Sequence, residues 1–163
     1  MLEIESSDIT DLLVGITPLY LNTFFRRKLY GITASVQEGE VRAKRRLFSE
    51  ADVYGIALVW MLFESGLRTQ VIRRILNELG GTKKANARAT AEVLHKSGAE
   101  YIVVLREPRK PRSKTEPEPK IRTAKNSELA EIVTRIGTAN TLIVPISAKF
   151  KDIEKRLAAI FGG

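Results

Sequence analysis

Between Gly15 and Gly31 the chain reads GITPLYLNTFFRRKLYG, and this stretch leaves little choice of local structure. Thr17 suits a helix N-cap, Pro18 the first helical position, and Gly31 a left-handed close. Leu21, Phe24, Phe25 and Leu29 recur at three- and four-residue intervals, so they share one stripe of a helix from Pro18 to Tyr30. Asn22, Thr23, Arg26 and Arg27 are left facing outward. The expectation is a helix held by an apolar back that offers a polar, basic front.

The flanks extend this reading. Asp8 to Gly15 can form one or two helical turns, which makes Gly15, Ile16 and Thr17 the turn between two short helices. A β-like run follows the stretch, then a turn at Gln37 to Glu40 and a basic strand candidate from Val41 to Phe48. In that candidate Val41, Ala43, Arg45 and Leu47 alternate with Arg42, Lys44, Arg46 and Phe48, so a hairpin is expected.

Helix, turn, second helix and basic hairpin, followed by RRLFSEADV (Arg45 to Val53) and GLRTQVIRRILNEL (Gly66 to Leu79), resemble the winged-helix DNA-binding domain of the MerR family of bacterial transcription regulators. The resemblance rests on Gly15, Ile16 and Thr17 with Leu21, Asn22, Thr23 and Phe24, on Arg46 to Ser49 with Asp52, and on Gly66 with Leu67. It covers about the first eighty residues. Asn22 and Thr23 stand where the family has Arg and Tyr, Phe25 where it has an acid, and Arg68 where it has a capping Ser or Thr. The resemblance implies a winged helix-turn-helix, a homodimer, and regulation by twisting a promoter with an overlong spacer.

Charge distribution points the same way. The chain carries a formal +8, yet residues 1–25 hold Glu3, Glu5, Asp8 and Asp11 with no Lys or Arg. Residues 26–46 hold Arg26, Arg27, Lys28, Arg42, Lys44, Arg45 and Arg46 against Glu38 and Glu40. Basic density on a helix plus hairpin suits neutralisation of phosphates, the sequence-independent part of DNA affinity. A second basic excess lies in 106–125, where a solvated face is an equal reading.

Several function classes lose support. With no cysteine and one histidine, neither disulfides nor a thiolate or His-based metal site is expected, unlike the family's thiolate metal sensors. Met1 is followed by Glu3, Glu5 and Asp8, and the most apolar window, Val53 to Phe63, is too short to span a bilayer. A cytoplasmic, nucleoid-associated protein with no membrane contact is therefore expected. There is no Walker-type loop, GxGxxG, GxSxG or HExxH, and His95 has no catalytic companion in the sequence, so neither an enzyme nor a cofactor is expected.

Further along, Ser49 should cap a third helix with Val53, Ile56, Ala57, Trp60 and Phe63 or Glu64 on its buried face. Trp60 is a packing residue on this reading. A fourth helix from Thr69 to Leu79 buries Ile72, Ile75, Leu76 and Leu79, turns Arg73 and Arg74 outward, and stops at Gly80-Gly81. Thr82 to Gly98 reads as an Ala-rich helix whose thin seam of Ala85, Ala89 and Val93 could pair two chains. Tyr101 to Leu105 is a strand candidate buried on both faces. Arg106 to Asn126 holds four of the six prolines and no aromatic residue, which predicts a flexible basic loop. A helix from Ser127 to Ile136, a strand from Thr141 to Ser147 and a last helix capped by Ser147, with Phe150, Ile153, Leu157 and Ile160 inward, complete the chain.

The sequence therefore predicts a mainly α fold with a small hairpin wing at 1–81, a connecting and dimerising helix at 82–98, and a small α/β region at 99–163 interrupted by the loop 106–126. The expected function is sequence-specific binding of double-stranded DNA as a homodimeric regulator. Thr17, Tyr20, Asn22, Thr23, Arg26 and Arg27 on the helix and Arg42, Lys44, Arg45 and Arg46 on the hairpin are the candidate contacts. Asn22 is the residue best suited to read a base, because Asn can pair bidentately with adenine. Two alternatives stay open: an excisionase-like or architectural DNA protein, and an interaction module whose C-terminal region recruits a protein or small-molecule partner.

Overall fold

A computed structural model describes residues 3–26, 29–32, 35–38, 44–107, 111–112, 114–115, 117–136 and 141–162. Among these the chain is mainly helical, with two small antiparallel sheets of three strands each.

The first sheet begins with a strand absent from the sequence reading. β1 (Ile4–Glu5) pairs with β3 (Lys44–Phe48), setting Ile4 opposite Phe48 and Glu5 opposite Leu47. β2 (Ser35–Glu38) takes the other edge of β3, from Ser35 opposite Leu47 to Glu38 opposite Lys44. Gln37 and Glu38, expected in the turn, thus lie in β2; residues 39–43 fall outside the described ones. α1 (Ser6–Leu12) starts two residues before the expected Asp8, because the Asp8 carboxylate accepts from the Glu5 N–H at 2.8 Å and so caps the helix at Glu5. α2 (Pro18–Arg26) follows. It is not one helix through to Tyr30. Leu29–Gly31 forms a separate 3-10 turn in which Tyr30 has φ 62°, a left-handed value that an α-helix cannot continue.

α3 (Glu50–Glu64) is the axis of the molecule. Its start is a capping box: Ser49 Oγ accepts from the Asp52 N–H at 3.3 Å and the Asp52 carboxylate accepts from the Ser49 N–H at 2.9 Å. Val53 and every residue from Gly55 to Leu62 are buried, so the helix is covered nearly all round rather than on one stripe. Phe63 and Glu64, one of which was expected inward, are both exposed because α3 runs out of the core there.

α4 (Thr69–Gly80) buries Ile72, Ile75 and Leu76 as its periodicity predicts, leaves Leu79 half-buried, and ends on Gly81 with φ 63°. Arg73 is exposed, but Arg74 is half-buried and paired with Glu78 and, at 2.7 Å, with Glu118. α5 (Ala87–Ser97) begins five residues later than expected, since Asn86 Oδ1 caps it by accepting from the Ala89 N–H at 3.0 Å. Its buried residues are Ala87, Thr90, Ala91 and Leu94, and they pack within the chain against α3 and α4. Of the seam expected to pair two chains, Ala85 and Ala89 are half-buried and Val93 is exposed.

The second sheet corrects the reading of 106–126. β5 (Lys120–Ala124) pairs along its whole length with β4 (Tyr101–Leu105), from Tyr101 opposite Ala124 to Leu105 opposite Lys120. As a half-covered edge strand it keeps Lys120, Arg122 and Thr123 exposed, so its composition resembles that of a loop. β6 (Thr141–Pro145) lies on the other side of β4. α6 (Asn126–Ile136) closes one face of this sheet with Ile132 and Leu129 over Val103, Leu105 and Ala124. α7 (Ser147–Phe161) packs Phe150, Ile153 and Leu157 into the main core, while Ile160 is 48 % exposed and lies off that face. Ser147 is not its cap. Ile146 holds that position, and the Glu100 carbonyl accepts from the Ile146 and Ser147 N–H groups at 2.9 and 3.3 Å.

Candidate nucleic-acid interface

α2 is fixed from behind and open in front. Leu21 and Phe24 are 2 % and 5 % exposed, and Phe24 meets the buried Tyr30 ring edge-on at 5.9 Å. Burial pushes the Tyr30 phenol above its usual pKa, against weaker lowering by a hydrogen bond with Thr69 and the charge of Arg73. At the helix start the Thr17 hydroxyl accepts from the Tyr20 N–H at 3.4 Å, and the Tyr20 ring meets Trp60 edge-on at 5.4 Å and lies tilted against Phe63 at 5.5 Å. Trp60 and Phe63 are themselves stacked at 5.8 Å. Tyr20 therefore anchors α2 to α3 through its ring and remains 40 % exposed.

The outward residues of α2 are Leu19, Asn22 and Thr23, with Leu19 76 % exposed. The Thr23 hydroxyl turns back to donate to the Leu19 carbonyl at 2.9 Å. Asn22 Oδ1 accepts from the Arg46 guanidinium, a contact that spans from α2 to β3. This bond changes what Asn22 offers. Its carbonyl is drawn toward the protein, so the amide is left chiefly as a donor instead of the donor-acceptor pair that adenine requires.

Of the other expected contacts, Arg46 is half-buried and sits beside Asn22, and Arg26 ends α2. Lys44 and Arg45 lie in β3 next to Arg46, but their side chains and that of Arg26, like Phe25 and Leu29, are outside the described ones. Arg27 and Arg42 lie wholly outside the described residues. Among the described residues, Asn22 and Arg46 are a pair that joins α2 to β3. Sequence reasoning missed Leu19, because an apolar residue in an amphipathic helix is assigned to the core by default. Its signal was position: Leu19 falls on the arc of Asn22, Thr23 and Arg26, not on that of Leu21 and Phe24.

Away from this face, a recess of about 430 Å³ opens between the end of α3 and the β6–α7 corner, lined by Met61, Glu64, Ser65, Val144, Pro145, Ala148, Lys149 and Asp152. The Ser65 hydroxyl donates to the Met61 carbonyl at 2.8 Å, which commits its proton to the helix end. Among the described residues no group of three or more His, Asp or Glu is placed to hold a metal ion, and no helix is long and apolar enough to cross a membrane. No protein-family model and no curated protein matches the chain.

Proposed function

We propose that this chain is a sequence-specific DNA-binding regulator of transcription, built on a MerR-like winged helix-turn-helix and acting as a homodimer. In this reading α2 enters the major groove and the β2–β3 hairpin lies along the adjacent backbone. The observation that carries it is the contact between Asn22 and Arg46, which joins a helix fixed from behind to a basic strand in a single surface. The order β1, α1, α2, hairpin, α3, α4 supports the winged-domain reading, and the +8 charge supports a polyanionic partner. Phosphates would supply affinity through Arg26 and the β3 cations; Asn22 and its neighbours on α2 would supply discrimination.

The test is retention of random genomic fragments on the purified protein across a salt series, followed by sequencing. Binding should fall steeply with salt and recover a short inverted repeat. The double change Asn22→Ala and Arg26→Ala should abolish recovery of the repeat while leaving the circular dichroism spectrum unchanged. Retention that ignores salt, or a repeat recovered equally well by the double variant, would refute the proposal.

A further inference from the structure

We infer that Leu19 reads the 5-methyl group of a thymine, so that each half-site bound by α2 carries a thymine beneath the start of that helix. The inference rests on the DNA-binding reading above and deepens it. Leu19 is the most exposed large apolar side chain among the described residues at 76 %, ahead of Val14 at 60 %. It occupies the second position of α2 and shares one helical arc with Asn22, Thr23 and Arg26, at spacings of three, four and seven. In groove-reading helices the N-terminal residues reach base edges.

The chemistry left on that arc favours one base. The Thr23 hydroxyl has given its proton to the Leu19 carbonyl and Asn22 Oδ1 accepts from Arg46, so the outward donor left on this arc is the Asn22 amide. Beside the Thr23 hydroxyl oxygen, the arc offers the Leu19 isobutyl group, the Thr23 methyl and the Asn22 amide N–H groups. An apolar surface beside a hydrogen-bond donor is the complement of thymine, whose major-groove edge carries a methyl next to the O4 acceptor. Cytosine presents a donor there, and adenine a donor beside N7, and neither bears a methyl. Charge accounts for why the occupant is nucleic acid and not an apolar protein face. Leu19 shares its arc with Asn22, which the Arg46 guanidinium joins, in a chain of formal charge +8.

The experiment replaces each thymine of the recovered repeat, one at a time, by deoxyuridine, which removes only the methyl. At one thymine per half-site the wild-type protein should lose about four-fold in affinity, the worth of one buried methyl group. Leu19→Ala should lose a similar factor on the unmodified site and then show no further loss with deoxyuridine at that position. Specific binding by the wild type that is indifferent to deoxyuridine everywhere overturns the inference while leaving DNA binding intact. So does a Leu19→Ala protein that remains as sensitive to deoxyuridine as the wild type. Failure of DNA binding itself is recorded separately by the salt series and removes both.

Discussion

Gly55 stands where α3 crosses α5, and its missing side chain sets how near the two helices come. A Cβ built there would lie 2.8 Å from the Arg88 nitrogen and 3.0 Å from the Ala87 carbonyl carbon, both backbone atoms that cannot rotate away. Two effects of Gly55→Ala oppose each other. Alanine gains up to about 1 kcal/mol of helix propensity, while overpacking against a rigid backbone costs about 1–3 kcal/mol. The clash should win. Gly55→Ala is expected to lower the urea midpoint with an unchanged m-value, and an unchanged or raised midpoint would show that the helices part without strain. Single residues also mark how far the functional face was legible. Thr17 and Pro18 start α2 through local chemistry written in neighbouring residues, and they read correctly. Asn22 was singled out, yet its engagement by Arg46 joins positions 24 residues apart, and no local pattern carries that information.

At the scale of elements, legibility followed the strength of the periodic signal. α4 and β4 read correctly because one apolar arc and one continuous apolar run have few other interpretations. β5 was missed because an edge strand needs few apolar residues, and the prolines before it argued for a loop. α5 was found, but the residues it buries within the chain differ from the expected seam. Small residues allow close approach to any helix, and the ones buried, Ala87, Thr90 and Ala91, meet α3 and α4 of the same chain. Thr90 secures this approach, its hydroxyl donating to the Asn86 and Leu76 carbonyls at 2.7 and 3.0 Å. Paired substitutions separate an in-chain from an inter-chain role. Leu94→Ala removes a side chain that is 1 % exposed and should cost about 2–5 kcal/mol, whereas Val93→Ala, at 44 % exposure, should stay within about 0.5 kcal/mol. Thermal denaturation at two protein concentrations measures both. A large, concentration-dependent loss from Val93→Ala would place α5 at a dimer interface.

At the scale of the whole molecule, the boundaries expected at 81 and 98 fall inside a continuous core. One cluster of buried side chains runs from Ile4, Ile9 and Leu12 through α3 and α4 to Ile102, Val144, Phe150 and Leu157. α7 touches both α1 and α3, so the last helix of the chain helps cover the elements that hold α2. A division at either boundary would cut through this core. Trp60, the chain's single tryptophan, lies in α3 beside Tyr20 and reports on the N-terminal half, while far-UV circular dichroism reports on all helices. Urea unfolding followed by the two probes should therefore give coincident transitions. A chain cut after Gly98 should lose its fixed tertiary structure, because the cut removes Phe150, Ile153 and Leu157 from the apolar faces they cover. It should lose salt-dependent DNA retention at the same step. If the shortened chain keeps both, α2 is held by residues 1–98 alone, and the C-terminal region is an attachment that the proposed DNA-binding face does not need.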